Sequence, residues 1–175
     1  TRSRSFEVGH KFQALRGQLT ATTAFRKILN YNILIPLGGN LFEQAGESSS
    51  RVLDFDLEGS LGHGLRTVAS YGFADPQFDD FKQTATGVNL AGNQLPQAPR
   101  HTARVWGTKT VRVNAKSSIT ASVGGRYVAQ YFTNSANTIV LPSRLTFDGG
   151  VGFRKPMWDV TVNLMNLTNV QTYYV

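Results

Sequence analysis

Apolar and polar residues alternate with a period of two along most of the chain, most clearly between residues 143 and 169, SRLTFDGGVGFRKPMWDVTVNLMNLTN. Trp158, Val160, Val162 and Leu164 fall in one phase, and Asp159, Thr161, Asn163 and Met165 in the other. Ahead of the Lys155-Pro156-Met157 breaker, Leu145, Phe147, Val151 and Phe153 alternate with Thr146, Asp148, Gly150, Gly152 and Arg154. Successive side chains of a strand point to opposite faces, so the pattern predicts a hairpin with one apolar and one polar face. Such an apolar face covers a core in a soluble sheet and meets lipid in a membrane barrel; one hairpin leaves both open.

The same alternation predicts strands over residues 4–12, 18–34, 52–61, 65–73, 102–113 and 119–132. In the third of these, Leu53, Phe55 and Leu57 oppose Asp54, Asp56 and Glu58, and three carboxylates on one face require water or partners. The adjacent Val105 and Trp106 break the phase of the fifth, so one of the two faces the polar side or a bulge intervenes. In the sixth, Tyr127, Ala129 and Tyr131 share the apolar side; Tyr127, Tyr131 and Phe132 at one end, with Phe153 and Trp158 at the other, suit two interfacial girdles.

Short turns are expected near Ala14, His63, Ser117 and Pro156, and long loops at residues 36–50, 75–99 and 133–142. About eight antiparallel strands with connections that alternate short and long describe an all-β transmembrane barrel, short turns on one side of the membrane and long loops on the other.

Composition narrows the class. Charged residues make up 17% of the 175-residue chain, below the roughly 25% of soluble domains. No run approaches the ~20 apolar residues of a membrane helix, so a membrane protein of this sequence crosses by strands. Cysteine is absent, which excludes disulfides and thiolate metal sites. The formal charge of +7 comes from 18 dispersed Lys and Arg residues without a basic run or recognition helix. That excludes a nucleic-acid reading and favours basic lumen and rim residues facing anionic solutes or lipopolysaccharide.

Candidate chemistry is sparse. His10, His63 and His101 are far apart, Gly124-Gly125 and Gly149-Gly150 precede no helix, and no spacing supports a catalytic, metal or cofactor site. In a barrel the polar phase lines the lumen, which assigns Asp54, Asp56, Glu58, Arg126, Asp148 and Arg154 there, with Arg26 or Arg66 as partners for the carboxylates. Tyr31, Asn32, Phe42, Arg51, Phe78, Phe81 and Phe132, in or beside the long loops, are candidate ligand contacts, since aromatics and cations suit a planar anionic chelate.

The segments LPQAPRHTARVWGTKTV, SVGGRYVAQY, LPSRLTFDGGVGFR and WDVTVNLMNLTNVQTYY resemble, in that order, the C-terminal third of TonB-dependent outer-membrane receptors, especially the siderophore branch. SFEVGHKFQALRGQLTATTAFRKILNYNI and RVLDFDLEGSL look like the strands that precede them, and Asn166 to Asn169 followed by Tyr173-Tyr174 is the most specific piece. The resemblance implies part of a barrel of about 22 strands with a plugged lumen. Such a receptor imports an iron-siderophore or similar chelate across the outer membrane with energy from the TonB system, and performs no covalent chemistry.

On this reading residues 1–175 are a C-terminal barrel segment without plug, energy-coupling box or final strand. TonB is reached through an N-terminal segment outside it, and outer-membrane lipid and lipopolysaccharide surround it. Two other readings stay open: a receptor-like piece acting as a structural or interaction component of an envelope assembly, and a small soluble β-barrel binding protein. The soluble barrel would turn Leu53, Phe55, Leu57, Val160 and Val162 inward.

Overall fold

The structure, a computed structural model, describes residues 2–38, 41–83 and 86–171. The strands are β1 (Arg2–Ala14), β2 (Leu19–Gly38), β3 (Leu41–Gly62), β4 (Leu65–Asp80), β5 (His101–Asn114), β6 (Ser117–Val128), β7 (Tyr131–Phe132), β8 (Val140–Leu141), β9 (Arg144–Lys155) and β10 (Trp158–Leu164). Eight form one antiparallel sheet in the order β1-β2-β3-β4-β5-β6-β9-β10, while β7 and β8 pair separately. Every neighbour in the large sheet is also the neighbour in sequence once β7 and β8 are set aside, the meander that short hairpin connections impose. Strands β1 and β10 lie at its two edges.

The register converts the sequence alternation into two continuous faces. One apolar rung runs Val8, Phe25, Leu53, Phe73 and His101 across five strands. A rung three residues along runs Lys11, Thr22, Asp56, Ser70, Arg104, Arg126 and Thr146 on the opposite face. Nothing in the described chain covers the apolar face: Phe6 is 68% exposed, Leu53 42%, Val160 54% and Val162 57%. These residues do not point into an interior, so the soluble barrel with Leu53, Phe55, Leu57, Val160 and Val162 turned inward is not the structure adopted. From Leu145 to Phe153 along β9, about 3.3 Å per residue and a tilt of ~40° give a band roughly 20 Å high, within a few ångströms of the ~25 Å of a bilayer-spanning barrel.

The short connections have local causes. At His63-Gly64 both residues take positive φ, 50° and 75°, the requirement of a two-residue hairpin turn that follows the strand twist. Asn114 Oδ1 accepts from the Lys116 N–H at 2.9 Å and the Ser117 hydroxyl at 2.6 Å, which closes the β5–β6 turn. Gly59 sits at φ 152° with the Gln18 carbonyl where a Cβ would stand, and Ser60 N–H donates to that carbonyl at 2.8 Å. Only glycine permits this approach at the end of the β2–β3 pair.

The long connections differ from expectation. Of residues 36–50, read as a loop from their Gly, Ser and Asn content, 36–38 and 41–50 instead continue the β2–β3 ladder as far as Gly38 opposite Leu41, while 39 and 40 lie outside the described residues. A two-stranded ribbon pairs its own backbone groups, and Pro36, which donates nothing, falls at the register irregularity between Pro36 and Gly38. β4 likewise runs on to Asp80, into the expected loop 75–99. Residues 119–132 are not one strand: β6 stops at Val128, Ala129 is buried, and Tyr131 and Phe132 turn aside to pair with Leu141 and Val140. The girdle expected from Tyr131 and Phe132 therefore reduces to Tyr127 on the sheet itself.

The buried apolar cluster lies over this end of the sheet, not behind its apolar face. Phe78 and Phe81, 1% and 2% exposed with ring centroids 4.9 Å apart, pack with Leu90, Ile33 and Leu95. Leu90 N–H donates to Phe81 C=O at 2.8 Å and Gly92 N–H to Phe78 C=O at 2.7 Å, which folds the β4–β5 connection back over the two rings. We predict that Phe78→Ala, by opening a cavity worth about 3–5 kcal/mol, increases proteolysis and amide exchange at Leu90 and Gly92. Exchange in β5 and β6 should stay unchanged; equal loosening of both regions would contradict a locally held cap.

Candidate functional site

The polar face supplies the candidate site, because there the strands present cations, carboxylates and one indole at fixed spacing. A hollow of about 490 Å³ lies over β4, β5, β6 and β9 and is lined by Ser70, Thr102, Arg104, Trp106, Arg126 and Asp148 among others. Pairing along β5 is continuous on both sides at Val105 and Trp106, so no bulge intervenes there and Trp106 faces the polar side. Its ring occupies the space a Cβ on Gly124 would need. Gly124 is thus the floor on which the indole lies.

Charge on this face is divided into sectors. On β1 to β3, Arg26 hydrogen-bonds the Asp54 carboxylate and lies 3.4 Å from Glu7 Oε2, so one guanidinium ties three strands. Arg154 donates to Asp159 at 2.7 Å across β9–β10. Between these, Arg104 on β5 stands directly opposite Arg126 on β6. Among the described residues neither has an ion-pair partner, and the nearest acidic group by register, Asp148, accepts from the Asn166 backbone N–H at 2.7 Å. Like charges directly opposite in a ladder repel; the hollow is a cationic floor beside an aromatic plane. A second hollow, about 420 Å³ and also containing Trp106, places Arg66 and Glu58 on one wall system.

The residues read from sequence as lumen-facing, Asp54, Asp56, Glu58, Arg126, Asp148 and Arg154, all fall in the polar phase of the sheet. Of the expected partners for the carboxylates, Arg26 engages Asp54 directly, whereas Arg66 is placed near Glu58 without an ion pair among the described residues.

The candidate ligand contacts do not form one group. Phe78 and Phe81 are core, their rings withdrawn from solvent by the β4–β5 connection, because a loop that long needs an apolar anchor of its own. Arg51 is in the phase of Leu53 and so lies on the apolar face. Tyr31 and Asn32 lie on β2, Asn32 at φ 52° and exposed, while Phe42, 61% exposed, opposes Pro36 near the ribbon tip. Phe132 belongs to the β7–β8 ribbon, where its carbonyl accepts from Gln97 N–H at 2.7 Å.

That last bond is one of several joining the two larger connections. Asn137 Oδ1 accepts from Gln94 N–H at 2.7 Å, its Nδ2 donates to Gln94 C=O at 2.9 Å, and Asn93 Nδ2 donates to Ser135 C=O at 3.0 Å. They form one braced rim. Arg104 and Trp106 were absent from the sequence-based site, although the phase break at Val105-Trp106 was the signal that could have found them. Asn93, Gln94 and Asn137 had none, since their partners are more than forty residues distant. Among the described residues no three His, Cys, Asp or Glu converge as a metal-binding group.

With this geometry in hand, comparison with known proteins is informative. A family model described as "TonB dependent receptor-like, beta-barrel" matches residues 1–169. The probable TonB-dependent siderophore receptor PiuA of Acinetobacter baumannii is 22% identical over 174 residues, 95% of this chain and 23% of that protein. The ferrioxamine B receptor of Salmonella typhimurium is 24% identical, over 87% of this chain and 21% of that protein. The crystal structure of BauA, the ferric preacinetobactin receptor of A. baumannii, superposes with a TM-score of 0.78 at 24% identity, over 96% of this chain and 25% of that one. The chain thus spans about a quarter of the length of these relatives.

The Arg104–Arg126 juxtaposition is testable by charge reversal. Arg104→Glu or Arg126→Glu alone should raise stability by about 0.2–1 kcal/mol by converting a repulsive cross-strand pair into an attractive one, and the double reversal should return it to near the starting value. Urea unfolding of the receptor in detergent measures this; additive effects of the two changes would show that the side chains do not interact.

Proposed function

Because the chain belongs to the TonB dependent receptor-like β-barrel family, a family of receptors and not of enzymes, we propose that it forms C-terminal wall of an outer-membrane receptor for an iron-siderophore or similar chelate. The observation that carries this reading is the single sheet with an uncovered apolar face of bilayer height and an opposite face of paired and unpaired charge. A sheet so exposed would aggregate in water; in a bilayer the same face is solvated by lipid.

In this reading Asp54, Asp56, Glu58, Arg126, Asp148 and Arg154 line the lumen, and Arg104 and Trp106 join them. Two guanidinium groups beside an indole suit an anionic chelate in transit, or carboxylates of a segment that fills the lumen. The described relatives are receptors named for siderophores, ferrioxamine B and ferric preacinetobactin, which supports a ferric chelate as the class of solute. Tyr31, Asn32, Phe42 and Phe132, at the end of the sheet that carries the long connections, are the side chains offered for the first contact with it. Energy comes from TonB, engaged by another part of the receptor, and the protein does no bond chemistry on the chelate.

The test is uptake of iron-55 supplied as a panel of purified ferric siderophores to cells carrying or lacking the full-length gene. At least one chelate should enter only with the gene present and only with TonB intact, and Arg104→Ala/Arg126→Ala should lower that uptake several-fold. Uptake of the whole panel at the same rate without the gene would overturn the reading.

A further inference from the structure

The polar face carries a strip without a single carboxylate. From Arg66 to Gly72 on β4, Thr102 to Arg112 on β5 and Ser118 to Val128 on β6, the polar side chains of this phase are arginines, hydroxyls and the Trp106 indole. Carboxylates stand on either side of the strip: Asp54, Asp56 and Glu58 on β3, Asp148 on β9 and Asp159 on β10.

The arginines recur at even steps from the Arg104–Arg126 pair toward the short-turn end. Arg66 stands opposite Thr108, four residues along β5 from Arg104, and Arg112 lies four residues farther. At about 3.3 Å per residue each step is ~13 Å along the strand, a gap that two extended arginine side chains close on a shared anion. Thr108, Ser122, Thr110 and Thr120 fill the rows between, with the Thr110 and Thr120 hydroxyls 3.1 Å apart. Hydroxyls donate to an anion without neutralising it, so these rows hold it less firmly than the cations do.

Hollows accompany the steps. The one containing Arg66 and Thr108 shares Trp106 with the Arg104–Arg126 hollow. A further hollow of about 280 Å³ sits between the β5–β6 and β9–β10 turns, lined by Arg112, Lys116, Ser118 and Arg154 among others. There Ser118 lies opposite both Arg112 and Arg154. Cations that brace the wall are neutralised by the wall itself: Arg26 by Asp54 and Glu7, Arg100 by Asp75, Arg154 by Asp159. Among the described residues Arg66, Arg112 and Lys116 have no ion-pair partner, and all three are exposed.

We propose that Arg66, and beyond it Arg112 with Lys116, are two further binding stations for an oxyanion-bearing chelate, the second of them the site from which it leaves on the short-turn side. Guanidinium forks match paired oxyanion acceptors, and lysine adds a point charge. Several sites of moderate strength in series let an ion enter and still leave. These stations rest on the transport reading and give it a path and a charge requirement.

The experiment uses the full-length receptor, with the anionic ferric siderophores of the uptake panel and tungstate, an electron-dense oxyanion, as probes. Arg66→Gln and Arg112→Gln/Lys116→Gln should each lower iron-55 uptake about tenfold, the loss of a charge-assisted contact, while chelate binding to cells lacking TonB stays unchanged. Arg66→Lys and Arg112→Lys should retain most of the uptake. Lys109→Gln, at the same height on the lipid-facing side, should have no effect. In crystals of the receptor soaked in tungstate, density should appear at Arg66 and at Arg112 with Lys116, and vanish from the altered station in each variant.

Unchanged uptake in both variants would overturn the proposal. So would carboxylates of another receptor segment seated on Arg66 and Arg112, which would make these cations structural, or loss of chelate binding together with uptake. Tungstate at both stations of a receptor that imports no member of the panel would strike the transport reading and leave the anion sites standing. Crystals without tungstate at either station would strike the sites alone.

Discussion

The fold rests on the backbone ladder. Eight strands hold one another edge to edge through their N–H and C=O groups, and no second layer packs on the apolar side of the sheet within the described chain. Where water is excluded, each unpaired backbone group costs several kcal/mol, so the ladder must be continuous through the apolar band. Registers from β1 to β10 are regular there, and irregularities fall near the ends, at Pro36/Gly38, Glu47/Ser48, Ser60/Gly62 and Arg112/Asn114. Bulges are tolerated where water or a turn can satisfy what the ladder leaves over.

Side chains then act within a frame already set. Because the period of a strand is two, one register assigns every residue to a face, and a slip by one would exchange Leu53 with Asp54 and Val160 with Asp159. Specific contacts defend that register: Arg26 between Glu7 and Asp54, Arg154 on Asp159, and Lys155 over the Phe153 and Trp158 rings at 5.6 Å and 5.3 Å. Each exposed ion pair contributes at most about 1 kcal/mol. Their value lies in making the alternative pairing costly.

The end of the sheet with long connections follows a different rule. There the chain leaves the apolar band, and what holds it is a small buried cluster around Phe78 and Phe81 together with amide bonds among Asn93, Gln94 and Asn137. A rim braced in this way presents a defined surface above the polar face. The same face below contains the cationic hollow of Arg104, Arg126 and Trp106. The rim and the charged wall are therefore built from different residues.

Alternation alone determined the all-β class, the strand centres, the two faces and the positions of the short turns, since each depends on neighbours one or two residues apart. It also carried the family, through segments whose order the chain preserves. The extents of β2, β3 and β4 were not legible, because a Gly- and Ser-rich stretch such as residues 41–50 becomes strand once a partner ladder supplies its hydrogen bonds. The burial of Phe78 and Phe81, the outward placement of Arg51 and the opposition of Arg104 to Arg126 all depend on register or on residues distant in sequence. Only the tertiary structure decided these, because local pattern says which way a side chain points but not which side chain stands across from it.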